Sequence, residues 1–183
     1  MMKRLGMSHL GIAVLLSGVF SAAQACEVNS AIAPPSIPQT ASPEVAQADP
    51  PTDSMMDSVE QAMFDQINAH RQSIGLQPLE PNPVIIAQAR EHSQSMATAG
   101  DLNHDGFADR VSAIASTLSY RSAGENVASN QGFSDPVAQA VEGWLDSTGH
   151  RDNIEGDFNT TGIGVAQAAD GTYYFTQIFI QTR

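Results

Sequence analysis

The segment Tyr173 to Ile180 constrains this chain most, because it is apolar on both faces: Tyr173, Phe175 and Phe179 on one, Tyr174, Ile178 and Ile180 on the other. A strand with one polar face can lie on water, whereas this one needs cover on both sides. Just upstream, Ile163 and Val165 alternate with glycines, and Asp170-Gly171 is a type I′ turn signal. These residues predict a hairpin in a short antiparallel sheet, buried between two layers of helix. The expected class is α+β, a three-layer α-β-α sandwich.

Helices to cover such a sheet are legible upstream. One opens near Ser54, carries Met56, Val59, Met63, Ile67 and Ile74 at helical spacing, and stops at Gly75. A second opens at Asn82-Pro83, cap then first-turn proline, and runs to Gly100 with Ile85, Ala89, His92 and Met96 on one stripe. A third opens at Ser134-Asp135-Pro136 and places Val137, Val141 and Trp144 on one face before Gly149. His70 and His92 read as helix packing residues and Trp144 as core. Between the second and third helices, Asp101 to Phe133 is the least regular stretch and the expected place for chemistry.

The N-terminal part stands outside this fold. Lys3 and Arg4 precede an apolar run from Leu10 to Phe20 and the small-residue stretch Ser21 to Ala25, which reads as a secretory signal over 1–25. The run is too short to span a bilayer. Residues 26–53 hold six of the ten prolines and no aromatic residue, the composition of a disordered tether. The folded unit is expected over 54–183. Cys26 follows Ala23-Gln24-Ala25, where a lipoprotein carries its diacylglyceryl thioether; ordinary cleavage after Ala25 would leave it an N-terminal thiol. The lipid anchor is the preferred reading, since a free thiol in an oxidising compartment is a liability. Either way the expectation is export, to the envelope or to the periplasmic or extracellular space, with membrane contact only through Cys26.

Charge and cysteine content exclude whole classes. Eight bases face twenty acids, for −12 overall, and the 54–183 unit keeps six arginines against sixteen acids, for −10. Nucleic acid is excluded as a partner for want of a basic stripe. One cysteine excludes an intrachain disulfide framework and any multi-cysteine zinc site.

In the irregular stretch, Asp101, Asn103 and Asp105 with Gly106 open like a calcium loop, D-x-N-x-D-G, and Asp109 falls in the ninth position. The closing bidentate glutamate is missing, Ser112 standing in its place. A polar turn leaving a helix at Gly100 is the better reading. A second set is His104, Glu125 and His150, two imidazoles and a carboxylate that could hold a divalent ion with an open position. Spacing alone leaves this open against a surface turn, a solvated charge and a helix-end cation.

Taken in order, Asn68-x-x-Arg71, Ile74-Gly75-Leu76-x-Pro78-Leu79, Asn103-His104, Gly124-Glu125-Asn126-Val127-Ala128, Trp144-x-x-Ser147-x-Gly149-His150-Arg151-x-Asn153-Ile154 and Gly162-Ile163-Gly164-Val165 resemble the CAP superfamily. These are the cysteine-rich secretory, antigen 5 and pathogenesis-related proteins, built on the SCP domain, and the likeness is to the disulfide-free bacterial branch. The resemblance covers about Ser54 to the C-terminus and implies an α-β-α sandwich. It also implies a central cleft lined by two histidines and two glutamates, the histidines binding a divalent metal in some members. His104, Glu125 and His150 take three of those positions, and Ser147 stands where the second glutamate is expected. Glu142, five residues away on a helix, is turned about 140° from that position.

The resemblance does not fix a reaction. The expected function is a non-enzymatic module that binds a small apolar or glycan ligand, or an envelope component, in a cleft where His104 and His150 can hold zinc. The alternative is a metal-dependent hydrolase with Glu125 as general base. A serine route through Ser147 and His150 lacks a strained nucleophile turn.

Overall fold

The computed structural model describes residues 53–183, with side chains from Met56 onward. The export signal, nearly all of the tether and Cys26 lie outside the described residues. The elements run α1 (Asp53–Ser73), β1 (Glu80–Pro81), α2 (Pro83–Ala99), α3 (Phe107–Ala115), β2 (Tyr120–Asn130), α4 (Pro136–Asp146), α5 (Thr148–Ile154), β3 (Thr160–Gln167) and β4 (Tyr173–Thr182). Among them no helix is long and apolar enough to cross a membrane.

The strands form one sheet in the order β1-β3-β4-β2. Both long pairings, β2 with β4 and β3 with β4, are antiparallel. The two-residue β1 adds a short parallel pairing to β3 at Thr160 and Thr161. Central β4 is buried from Tyr174 to Ile180, as a strand apolar on both faces must be. Phe175 and Phe179 pack with Met63, Ile67, Val141, Trp144 and Ile154 from α1, α4 and α5. Ile178 and Ile180 pack with Ile85 and Ala89 of α2 and Ile114 of α3. The α-β-α sandwich is thereby formed, with each face of β4 covered by the side chains expected on it.

The helix signals act as read. Asn82 accepts from Val84 N at 2.9 Å and Ile85 N at 3.4 Å, satisfying first-turn donors that have no helical partner. At the other end of α2, Gly100 takes φ 68° and donates its N–H to Met96 O at 2.8 Å. Asp135 caps α4 through Ala138 N at 2.9 Å. The third helix differs from expectation: Ser147, at φ −90° and ψ 119°, interrupts it, and the chain resumes as α5, which carries Gly149 and His150.

Two other expectations are corrected. The stretch 101–133 is not irregular throughout, since it contains α3 and the eleven-residue β2. That strand has one β-branched residue, Val127, and is a strand because it pairs with β4 from Tyr120 to Asn130. The hairpin turn is not type I′, which needs positive φ at both central residues. Among the described residues positive φ is confined to glycines, here Gly171 at 89°, and Gly171 N bonds Ala168 O at 2.9 Å. This geometry belongs to the longer hairpin loops built on a type I turn.

Glycine spacing in β3 fixes where α2 lies. A Cβ on Gly162 would fall 2.3 Å from Ile86 N, and one on Gly164 would fall 2.1 Å from Arg90 N. The helix backbone thus rests directly on the strand, at a distance only glycine permits.

Candidate functional site

The Gly-Glu-Asn and His-Arg-x-Asn-Ile motifs prove to be halves of one interlock between β2 and α5. Asn153 Nδ2 donates to Glu125 O at 3.3 Å and to Asn126 Oδ1 at 2.9 Å, and Asn126 Nδ2 donates to His150 O at 2.9 Å. Gly124 is required because a Cβ there would lie 2.7 Å from Asn153 Oδ1. Asn68 and Arg71 are likewise structural. Asn68 pairs both ways with the Leu79 backbone, at 3.1 and 2.8 Å. Arg71 donates to the carbonyls of Gln77, Ile154, Gly156 and Phe158, holding the end of α5 against α1.

This frame brings two of the expected side chains, His104 and Glu125, into contact. Glu125 points from β2 toward α3 with its side chain only 2% exposed. His104, in the loop before α3 and 53% exposed, bonds Glu125 Oε1 through Nδ1 at 2.9 Å. The carboxylate accepts, so His104 donates through Nδ1. His150, on α5, is half-buried. Burial, with the nearby charge of His104, holds its pKa below 6.5, which keeps the imidazole neutral at neutral pH.

The residue that sequence reasoning did not single out is Arg110 of α3. It donates from Nε to Glu125 Oε2 at 2.9 Å and from Nη2 to both carboxylate oxygens at 2.8 and 2.7 Å, with its own side chain 11% exposed. A buried carboxylate needs such a partner. Arg110 Nη1 also meets His92 Nδ1 at 3.1 Å, while His92 Nε2 meets Asn103 O at 2.9 Å. A polar chain therefore runs from the Asn103 loop through His92, Arg110 and Glu125 to His104. His92 packs as expected, and it also braces this chain. No signal in the sequence points to this pair, since Glu125 falls in the stretch read as irregular and, by spacing alone, is open to being a solvated charge.

The loop of Asp101, Asn103 and Asp105 is occupied with itself: Asn103 Nδ2 donates to Asp101 Oδ2 at 3.1 Å and Asn103 Oδ1 accepts from Asp105 N at 3.0 Å. That is an asparagine-centred turn. Among the described residues no group of three or more His, Cys, Asp and Glu is placed to hold a metal ion. Glu125 already accepts from Arg110 and His104, which leaves only the imidazoles of His104 and His150 from the expected donors. They do not fit the three-ligand set of a catalytic zinc.

Beside His150 a groove of about 460 Å³ runs between β2 and α4. Val127, Ala128, Phe133, Ala140 and Trp144 give it apolar walls, and Asn130, Gln139 and Ser147 supply polar points. Ser147, at the break between α4 and α5, lies in this groove with His150, whereas Glu142 is exposed and does not line it.

The geometry agrees with the comparisons. The sequence pattern of the cysteine-rich secretory protein (CAP) family matches residues 64–179, and the chain belongs to that family. It is 34% identical over 130 residues, 69% of its length, to the uncharacterized protein YkwD of Bacillus subtilis, and 33% identical over 128 residues to the uncharacterized membrane protein YlbC of the same organism. It spans about half of the first relative (49%) and about a third of the second (34%). Among solved structures it superposes with a TM-score of 0.59 on an extracellular SCP-domain protein from Bacillus anthracis, at 28% identity, covering 73% of this chain and 45% of that one. With an outer surface protein from Borrelia burgdorferi the TM-score is 0.61 at 18% identity, covering 70% of this chain and 96% of that one, a likeness of fold.

Proposed function

We propose that this protein is an exported, non-enzymatic binding module that takes a small apolar or glycan ligand in the groove beside His150. The carrying observation is the groove itself, about 460 Å³ with mainly apolar walls and polar groups at its edges, the usual make-up of a ligand site. The state of Glu125 argues in the same direction. A general base needs a free lone pair facing substrate, and this carboxylate is buried against Arg110 and His104. The extracellular and outer-surface descriptions of structural neighbours support export, as does the signal-like N-terminus. Cys26 is proposed as the lipid anchor. A divalent ion, zinc by the preference of imidazole nitrogen, would be held by His104 and His150 with its remaining positions open, and would supply a polar anchor at the groove's end.

Zinc titration of the wild type beside His104→Ala and His150→Ala tests the metal part. Uptake should occur in the wild type and be lost in both variants; equal uptake in all three would place the metal elsewhere. Ester and peptide hydrolysis should be absent, and turnover abolished by Glu125→Gln would establish the hydrolase instead. Cys26→Ser should move the protein from the membrane to the soluble fraction, and a variant that still partitions with membranes would remove the anchor.

A further inference from the structure

The groove beside His150 follows the open edge of β2. It is lined by four consecutive strand residues, Val127, Ala128, Ser129 and Asn130. Successive side chains of a strand point to opposite faces, so one groove can touch all four only along the strand's edge. Among the described residues β2 pairs with β4 alone and is the outermost strand.

Part of that edge is already capped. Asn153 bonds the Glu125 carbonyl at 3.3 Å and the Trp144 indole N–H bonds the Val127 carbonyl at 3.0 Å. The main-chain groups of these alternate residues therefore turn away from β4, and by the two-residue period of an antiparallel pair Ser129 turns the same way. Among the described residues no side chain bonds the Ser129 backbone, and Ser129 is exposed. Its neighbour Asn130 donates to Pro136 O at 2.8 Å, yet its buried Oδ1 has no partner, which is costly for a buried acceptor. The rim carries two of the three large hydrophobic residues most exposed among those described, Leu102 at 45% and Phe133 at 51%.

Charge narrows the occupant. Exposed Asp101 and Asp135 lie within two residues of the rim residues Leu102 and Phe133 in the chain, and exposed Asp146 precedes Ser147. Of the three arginines in β2, α3 and α5, Arg110 is committed to Glu125, Arg151 donates to Leu145 O at 3.1 Å, and Arg121 stands near the start of β2, six residues before the first groove residue of the strand. We infer that the groove binds an extended peptide segment with apolar side chains flanked by basic ones. Such a segment adds its backbone to the β2 edge at Ser129, seats apolar side chains against Trp144 and Phe133, and places its cations over the acidic rim. This inference rests on the groove being a ligand site, as proposed above, and puts a peptide in the place of the small apolar or glycan ligand.

Trp144 is the chain's one tryptophan and lines the groove, so its emission reports occupancy. The full chain is titrated with four probes. These are the blocked pentapeptide KVFVK, its backbone N-methylated form, the acidic form EVFVE, and octyl glucoside below its micelle concentration as a neutral apolar-plus-sugar ligand without a peptide edge. KVFVK should saturate the signal, N-methylation should weaken it about tenfold by removing main-chain bonding, and EVFVE should bind more weakly still. Gly143→Leu is the matching variant. Gly143 lines the groove in α4 and a Cβ there meets nothing within 4 Å, so the change fills the groove while the fold is kept, and the KVFVK response should vanish at a melting temperature no lower than that of the wild type. Equal binding of methylated and unmethylated peptide, a response surviving in Gly143→Leu, or saturation by octyl glucoside alone overturns the peptide inference and leaves the groove reading standing. No response to any probe overturns both.

Discussion

Arg110 and Glu125 form a buried ion pair in which each charge depends on the other. Removing one partner leaves the other charged and desolvated, and such losses cost about 3–5 kcal/mol. Arg110→Met should therefore lower unfolding free energy by that order in urea melts. Arg110→Met combined with Glu125→Leu should recover most of the loss, because the double change leaves no unpaired charge. Near-equal stability of Arg110→Met and wild type would show the pair to be solvent-screened. His92, bonded to Arg110, gives a pH dependence. Burial chiefly, with Arg110's charge adding to it, lowers its pKa below 6.5. The unfolded chain then takes up a proton before the native one does, so the contribution is present above pH 6.5 and is lost as pH falls through the lower native value. Urea midpoints between about pH 5 and 8 should drop on the acid side, and His92→Gln, which keeps an N–H for Asn103 O, should flatten part of that slope. The same residues explain the scarcity of lysine. Five of the six arginines after Arg4 make fixed bonds to carbonyls or carboxylates: Arg71, Arg90, Arg110, Arg151 and Arg183. A planar five-donor fork suits that work and a single ammonium does not.

At the scale of elements, glycine has opposite meanings in α4 and in β3. Gly164 sits where a methyl group would overlap the Arg90 and Ala89 backbone at 2.1 and 2.2 Å, so Gly164→Ala must lift α2 from the sheet. A loss of at least about 3 kcal/mol is expected. Gly143 has open space around it in a helix interior, so Gly143→Ala should stabilise by about 0.5–1 kcal/mol. Thermal melts of the two variants check both signs, and a neutral Gly164→Ala would refute the close-approach account. Element boundaries show how far pattern reading reaches. Asn82, Pro83 and Gly100 define α2 by local chemistry and were legible. The break at Ser147 and the strand character of β2 were not, because each arises from contacts with distant residues. Ser147 lets α5 turn so that Asn153 reaches Glu125 O and Asn126, and β2 exists through β4. The Glu125 site inherits that difficulty, since its partner Arg110 lies on a helix that the polar sequence around Gly106 did not announce.

Among the described residues the buried side chains fall between Glu60 and Ile180 and pack into clusters with one another, so the domain should fold as residues 54–183. A chain of residues 54–183 should melt within about 2 °C of the full protein, since a change near zero in stability leaves the transition unmoved. A markedly lower transition would mean that residues before 54 contribute to the core. Local chemistry in the sequence determined the helix caps, the doubly buried final strand, the sandwich it demands and the family motifs, because hydrophobic periodicity and turn residues act between near neighbours. Only the tertiary structure decided that Glu125 is held by Arg110 and His104, that His92 braces the pair, and that β2 leaves an edge open beside an apolar groove. Those features depend on which distant groups share one volume. Burial sets the strength and pairing of a charge, and no spacing along the chain records it.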